Sequence, residues 1–319
     1  MKLNNGFFIA IVGAIILYAI FLMFSDFSEV YGNIINFNMI YLPIILILVS
    51  SGWGVLFLRW HLLLKNSDIK LPLKKNFLIY LSGFALSVTP GKLGELLKSQ
   101  IIKTNFGTPR TSTAPLILVE RLYNLIGMIS ITFFGLIYFE ISSYIIIISA
   151  ILVIIGFVII SSETLFNKFI GIFSKFKFTS KLITPLQNSY QIIRKSTRGP
   201  IVVYCSGLSI IAWLIELLAV YFVFLGFGIL DLSYFQIVQV YTASIFLGAA
   251  SLLPEGIGVV EGSLIGLLNV HGIEISTAPT LVILIRILTL WYGVIIGLIC
   301  LKLTGVFSIT KNEPSDLDK

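Results

Sequence analysis

The sequence has few of the residues that make a soluble surface or a metal centre. Charged residues are 12% of its 319 residues, against about 25% in an ordinary soluble domain. Hydrophobic residues are 57%, and the mean hydropathy is +1.01. The two cysteines lie in apolar runs, and neither of the two histidines has a second ligand at metal spacing. We therefore expect a membrane protein with no disulfide framework, no bound metal and no cofactor.

Nor does the sequence show a cleavable leader or a nucleic-acid surface. The first apolar run, 7–24, follows the single lysine Lys2 and has no small-residue cleavage pattern after it. We expect it to be retained as the first span. The net charge of +7 is spread between apolar runs, which favours contact with anionic lipid headgroups over nucleic acid.

Six apolar runs come near or reach the roughly 20 residues that a helix needs to cross the bilayer. The loops that alternate with these runs differ sharply in charge, since one set carries 19 of the 22 Lys and Arg residues and the other set carries none. By the positive-inside rule both termini are predicted to be cytoplasmic, in a multi-pass protein of the cell membrane. The predicted spans are 7–24, 40–58, 115–139, 144–160, 201–225 and 279–301.

Two further apolar stretches are each broken by a Pro/Gly turn. The first, 77–88 and 96–102 around a turn at 89–95, has basic flanks; the second, 235–253 and 259–269 around a turn at 254–258, has flanks without Lys or Arg. Twelve helical residues reach about 18 Å, half of the hydrocarbon thickness. We predict two re-entrant helix pairs, the first entering from the cytoplasm and the second from outside. Broken backbone at such depth is tolerated where protein or a watery cavity satisfies it.

The order of spans and broken pairs repeats, which predicts an all-α inverted repeat. Pro90 precedes Arg121 by 31 residues, and Pro254 precedes Arg286 by 32. Each half has three crossings, so the second half is expected to lie inverted, a plan common in transporters. The predicted organisation is one membrane domain at 1–305, with halves at about 1–140 and 141–305, a basic amphipathic cytoplasmic loop at 161–199, and a polar tail at 306–319.

Several charged residues are predicted to lie at membrane depth, where each costs at least about 2.5–3.5 kcal/mol. The arginines could hold a phosphate headgroup together with the helix N-termini at the turns. Glu95, Glu216 and Glu261 could neutralise the site between substrates or carry a coupled proton. The candidate substrate-binding residues are the charged Lys92, Glu95, Glu120, Arg121, Glu216, Glu255, Glu261 and Arg286, and the turn residues Pro90, Gly91, Gly94, Pro254, Gly256 and Gly258.

A purely structural interpretation of the same charges is that they pair internally. Glu95 would pair with Arg121 and Glu261 with Arg286, which would only hold the broken helices in place, and the turn glycines would allow close helix packing. Glu120 and Lys98, near the predicted cytoplasmic interface, are expected to be solvated or to snorkel.

The loop 161–199 carries seven basic residues and two apolar stripes at helical spacing. We expect both stripes to form helices that lie on the inner leaflet and are attracted to anionic lipid. The stripes are Phe166, Phe169, Ile170, Phe173 and Phe176, and then Ile183, Leu186, Tyr190 and Ile193.

The two turns and the spans after them resemble a known family. TPGKLGELLKSQ followed by VERLYNLIG is similar to the first signature of the lysylphosphatidylglycerol synthase transmembrane-region, or flippase-like, family. LPEGIGVVEGSLIGLL followed by LIRILTLWYG is similar to the second. The resemblance covers about 53–301. The family residues carried over by these motifs are Pro90, Gly94, Glu95, Glu120, Arg121, Gly256, Gly258, Glu261 and Arg286.

The resemblance implies a lipid-handling membrane domain. In two-domain members this domain moves an aminoacylated phospholipid between leaflets, and stand-alone relatives have been associated with polyprenyl-phosphate-linked sugars. Because only a short polar tail follows the last span, we expect no synthase domain and no aminoacyl transfer. Lys92 and Glu255 depart from the small residues typical of the family, which leaves the preferred headgroup charge open.

Three functions are compatible with this sequence. The first is a lipid translocase that moves a phospholipid or polyprenyl-phosphate-linked headgroup between the re-entrant pairs, with membrane lipids and possibly a separate lipid-modifying enzyme as partners. It would be no enzyme itself and shows no nucleotide-binding motif. The second is a transferase or accessory protein for lipid-linked sugars, using Asp26 and Glu29. The third is a scaffold that tolerates loss of the buried charges. For a translocase, Arg121→Ala or Arg286→Ala is expected to abolish flipping in a folded protein.

Overall fold

The computed structural model describes residues 27–89, 94–136, 162–173, 190–251 and 253–305, with a few helical positions at 151, 155 and 158–159. Regular structure in these residues is helical throughout, as predicted for an all-α protein. The helices are α1 Phe27–Asn36, α2 Tyr41–Asn66, α3 Leu73–Ser82, α4 Leu97–Phe106, α5 Arg110–Leu136, α6 Glu163–Phe173, α7 Tyr190–Ser196, α8 Pro200–Gly226, α9 Tyr234–Ala250, α10 Val259–Val270, α11 Ala278–Arg286 and α12 Tyr292–Leu303.

Within the part of the chain that the structure describes, four helical segments are long and apolar enough to cross a membrane. They are α2, most of α5, α8 and the continuous segment Ala278–Leu303, in which the π-helical turn Ile287–Trp291 joins α11 to α12. The predicted spans 40–58, 115–139, 201–225 and 279–301 are thereby confirmed as helices, in a multi-pass membrane protein. The predicted span 7–24 and most of 144–160 lie outside the described residues.

Helix α2 is longer than its predicted span, which ended at Leu58. It continues to Asn66 because the apolar pattern resumes after Arg59, and Trp60, Leu63 and Leu64 are all buried in the core. Arg59 therefore lies inside the helix and not at the start of a basic loop, as the charge pattern had indicated.

Both predicted broken helix pairs are present as helix, break and helix. The first, here called the first hairpin (73–106), is α3 with a 3₁₀ turn at Gly83–Leu86, then a break, then α4. The second hairpin (234–270) is α9, a 3₁₀ turn at Pro254–Gly256, and α10. That each hairpin is re-entrant, and the side from which it enters the bilayer, stay predictions.

Each hairpin packs against the span that follows the other hairpin. Helix α12 lies on α3 and its 3₁₀ turn, while α5 lies on α9. A Cβ atom at Gly297 of α12 would come within 2.3 Å of the Ala85 backbone nitrogen, so the two backbones touch there. Between these layers α2 and α8 pack against each other. The exchange of partners supports two related halves, whose opposite membrane orientation stays a prediction.

The connector between the halves is folded against the protein where it is described. Phe166 of α6 and Tyr190 of α7 are buried, with their ring centroids 4.9 Å apart, and Ile193 is buried beside them. The Lys195 ammonium, 2.6 Å from Asp68, lowers the pKa of that carboxyl. Helices α6 and α7 overlap the two predicted stripes. The expectation that Phe166, Tyr190 and Ile193 rest on lipid is wrong, because these side chains are buried in the protein core. Phe176, Ile183 and Leu186 lie outside the described residues, as do the side chains of Phe169, Ile170 and Phe173.

Candidate functional site

A cavity of about 560 Å³ lies where the two hairpins meet. Its wall is built from both halves: from the first hairpin and α5 on one side, and from the second hairpin and α11 on the other, with α2 and α8 between them. Among the residues that line it are four cations and four carboxylates, which is unusual for the interior of a membrane protein. They are Arg59, Glu95, Lys98, Glu120, Arg121, Glu216, Glu255 and Arg286.

On the first-hairpin side, five of these charges form a chain of alternating sign. Arg121 pairs with one oxygen of Glu95, and Lys98 Nζ lies 3.5 Å from the other oxygen. Lys98 Nζ is also 2.6 Å from Glu120 Oε2, and Arg59 Nη2 is 3.7 Å from Glu120 Oε1. Each carboxylate thus bridges two cations, and the chain has a cation at both ends.

Lys98 and Glu120 are therefore buried, and the expectation that they are solvated is wrong. Lys98 is 2% exposed and Glu120 is 3% exposed. The ammonium of Lys98 lies 4.6 Å from the ring centroid of Trp60 and 5.1 Å from that of Tyr80. Glu120 and these electron-rich ring faces replace part of the hydration that Lys98 loses on burial.

Arg59 belongs to the same site and was missed from the sequence. It is 1% exposed, and its Nη1 donates to Asn124 Oδ1 at 2.6 Å and to Ser209 Oγ at 2.7 Å. It had been assigned to the basic loop after α2. The apolar residues that follow it, Trp60 to Leu64, were the available signal that the helix continues and that Arg59 faces inward.

The break in the first hairpin is closed by Thr89 and Gly94. Thr89 Oγ1 donates to the carbonyl oxygen of Leu86 at 2.8 Å and accepts from the Gly94 amide at 2.6 Å. A Cβ atom at Gly94 would lie 2.1 Å from the Leu86 oxygen, so a side chain does not fit there. Glu95 follows directly and is carried to the cavity wall. Pro90, Gly91 and Lys92 lie outside the described residues.

The break in the second hairpin is held by Arg286 and Glu261. Arg286 Nε donates to Glu261 Oε1 at 2.7 Å, and its Nη2 donates to the backbone oxygen of Glu255 at 2.8 Å. The other oxygen of Glu261 accepts from the Gly258 amide at 2.7 Å. The amide of Gly258, the residue before α10, is thus bonded within the protein.

The second turn also contains backbone that few residues adopt. Glu255 has φ +49°, in the left-handed region that is uncommon for residues other than glycine. Gly256 after it has φ +63°, and a Cβ atom there would lie 2.6 Å from Gly248 Cα of α9. Pro254 opens this turn. The strain turns the carbonyl of Glu255 towards Arg286 and leaves the Glu255 side chain on the cavity wall.

The two equivalent arginines therefore differ in access. Both predicted pairs, Glu95 with Arg121 and Glu261 with Arg286, are confirmed. The side chain of Arg121 is 27% exposed, towards the cavity, whereas that of Arg286 is only 4% exposed. Glu261, 1% exposed, lies behind the described lining residues. Among the described lining residues, the accessible arginine thus lies on the first-hairpin side.

The middle of the wall is contributed by α2 and α8. Glu216 accepts a hydrogen bond from the buried Tyr241 hydroxyl at 2.9 Å. Trp53 and Trp213 also line the cavity, and the indole nitrogen of Trp213 donates to the backbone oxygen of Asn124 at 3.0 Å. Within the described ranges, no cluster of three His, Cys, Asp or Glu side chains is placed to bind a metal.

The family described as Lysylphosphatidylglycerol synthase TM region matches residues 9–297. This chain belongs to that family. Its relatives include a UPF0104 membrane protein of Methanocaldococcus jannaschii, 28% identical over 244 residues that cover 72% of this chain and 99% of the relative. A UPF0104 membrane protein of Methanothermobacter thermautotrophicus is 20% identical over 315 residues, 90% and 92% of the two chains. A second M. jannaschii membrane protein is 22% identical over 322 residues, which cover 94% of this chain and 95% of that relative.

Proposed function

We propose that this protein is a lipid translocase that moves a phosphate-bearing headgroup through the central cavity. The observation that carries the proposal is the cavity itself: eight charged side chains from both halves of an apolar membrane protein line one space between two broken helix pairs. Fold stability alone does not require so many charges in one place, because each is expensive to insert.

The size and charge of the cavity suit a headgroup better than a whole lipid. About 560 Å³ falls within the range of small-molecule sites, so the acyl or prenyl chains would stay in the surrounding bilayer. Arg121 offers a planar set of donors that matches phosphate oxygens. A phospholipid and a polyprenyl-phosphate-linked sugar both supply that group, and a separate lipid-modifying enzyme would be a natural partner.

The membrane orientation that we propose rests on the distribution of positive charge among the loops. We place the protein in the cell membrane with both termini in the cytoplasm. Removing Arg59 and Lys98 from the count of loop residues, since both are buried, leaves the bias towards the same loops intact.

The test is headgroup movement in proteoliposomes. Purified protein is reconstituted with fluorescent phospholipid or polyprenyl-phosphate sugar, and the fraction of label accessible from outside is followed over time. Movement faster than in protein-free vesicles, and lost with Arg121→Ala, supports translocation through this cavity. Folded protein that moves none of these lipids overturns the proposal and favours the transferase or scaffold interpretation.

A further inference from the structure

We infer that Glu95 is an internal substitute for the substrate phosphate: it occupies Arg121 between substrates, and Lys98 retains it when phosphate displaces it. The inference rests on the proposed function, because it takes a phosphate-bearing headgroup as the ligand of Arg121. It assigns Glu95 and Lys98 the role of setting how tightly that headgroup binds.

The two oxygens of Glu95 make this exchange geometrically simple. Arg121 pairs with Oε1, and Lys98 Nζ lies 3.5 Å from Oε2. Lys98 is itself fixed by Glu120 at 2.6 Å and by the faces of Trp60 and Tyr80. When a phosphate takes Arg121, Glu95 needs only to shorten its existing contact with Lys98. The carboxylate stays paired throughout, which avoids the cost of an isolated buried charge.

Charge on the first-hairpin side also fits a phosphate diester. Three cations, Arg59, Lys98 and Arg121, face two carboxylates, Glu95 and Glu120, in the chain of ion pairs. Counted by its ion pairs alone, this chain has a formal surplus of one positive charge, which a diester headgroup phosphate with one negative charge would neutralise while Glu95 stays in the protein. Glu255, which also lines the cavity and interacts electrostatically with Arg121, stands outside this chain.

The second hairpin has no equivalent exchange. Arg286 bonds through Nε to Glu261 and through Nη2 to a backbone oxygen, and Glu261 is also bonded to the Gly258 amide. Displacing Glu261 from Arg286 would also disturb the start of α10. Of the arginines that the structure describes at the cavity, only Arg121 has both a partner that can leave and a second cation that can receive that partner.

The deciding variant is Glu95→Gln, which keeps the shape of the side chain and removes the competing charge. Binding of water-soluble dihexanoyl phosphatidylglycerol, a phosphate diester, to the full-length protein in detergent is followed by tryptophan fluorescence, because Trp53 and Trp213 line the cavity. Without its competitor Arg121 gains the equivalent of one charge-assisted contact, so we expect about tenfold tighter binding. Dihexanoylglycerol, which has no phosphate, should show no such gain. Equal or weaker binding of the phosphate lipid overturns the inference.

Inorganic phosphate in the same assay separates the sources of the ligand group. A gain with Glu95→Gln for both inorganic phosphate and the lipid means that the site recognises the phosphate alone. A gain for the lipid only means that the glycerol or acyl part is needed to place it. Both results support the exchange, and no gain with either ligand contradicts it.

Lys98→Gln tests the second half of the exchange by a double-mutant cycle. In the wild-type background it should weaken phosphate binding, because displaced Glu95 loses its receiving cation. In the Glu95→Gln background it should have a clearly smaller effect, since no carboxylate is left to receive. Equal effects in both backgrounds would show that Lys98 acts independently of Glu95. Glu261→Gln is the matched control and is expected to lower thermal stability while leaving phosphate affinity within about twofold.

These measurements fail separately from the proposed function. Phosphate binding that tightens in Glu95→Gln, in a protein that flips no lipid, would sustain the exchange and contradict translocation. Lipid flipping by the protein, together with a phosphate affinity that is the same in Glu95→Gln as in the wild type, would support translocation and contradict the exchange.

Discussion

The two hairpins are built to one plan and use their charges differently. Each brings a glutamate to an arginine of the span that follows it, at a separation of about 25 residues. In the second hairpin, Arg286 donates to a carboxylate and to a backbone oxygen, and both Arg286 and Glu261 are buried. In the first, Arg121 faces the cavity and its glutamate is shared with Lys98. One copy of the motif holds a turn together, while the other keeps a cation accessible.

Arg286→Ala should have the largest effect on folding. It leaves Glu261 buried without its cation, and breaking a buried ion pair in this way costs about 3–5 kcal/mol. Arg286→Lys should recover little, because two different nitrogens of the guanidinium are in use. Thermal unfolding of the detergent-solubilised protein measures both. A melting temperature close to that of the wild type would show that the second hairpin does not depend on this pair.

Arg121→Ala should separate function from stability. Lipid flipping is expected to be lost, but the cost in stability should be about 1 kcal/mol or less, as for partly exposed pairs, because Glu95 still has Lys98. Flipping and thermal unfolding are measured on the same preparation, with Arg286→Ala as the comparison. If both variants lost stability equally, the difference in exposure between the two arginines would have no functional meaning.

A smaller effect is expected where the first hairpin closes. In Gly94→Ala the new methyl group meets the Leu86 backbone oxygen, which cannot move far, so we expect a loss of about 1–3 kcal/mol. Gly262→Ala is the control in the second hairpin, because a Cβ atom there meets nothing within 4 Å. In a helix interior that change should stabilise by about 0.5–1 kcal/mol. Thermal unfolding that ranks the two variants the other way would contradict the described closure at Gly94.

The last prediction perturbs the protein least and concerns the sides of the two hairpins. Lys70 precedes the first hairpin and Asp231 the second, and both are exposed. Lys70→Cys should react with a membrane-impermeant thiol reagent only after the cells are permeabilised, whereas Asp231→Cys should react in intact cells. Cys205 and Cys300 are buried, which keeps the background low. Labelling of both positions from the same side would contradict the inverted arrangement.

Much of the fold could be predicted because it follows from local patterns. The four described spans and both breaks are apolar runs and Pro/Gly turns that can be recognised within about 30 residues. The Glu95–Arg121 and Glu261–Arg286 pairs were also within reach, since their spacing is nearly the same in the two halves. The site as a whole was not. Arg59 and Lys98 were assigned to basic loops, and Glu120, a site candidate within the predicted span 115–139, was placed near the cytoplasmic interface. The apolar residues after Arg59 were a local sign that α2 continues, but no local pattern shows that these three side chains meet in one buried chain of ion pairs.

The sequence by itself determined three things: that this is a membrane protein, at which residues its helices break, and which glutamate pairs with which arginine. Hydropathy, turn residues and spacing are properties of short stretches of chain, so they can be recognised in the sequence without knowledge of the fold. Only the tertiary structure decided that Arg121 is accessible and Arg286 is not. It also decided that Arg59 of α2, Lys98 of α4 and Glu120 of α5 join Glu95 and Arg121 in one chain of ion pairs, because helices far apart in the chain meet there and no local pattern encodes that meeting.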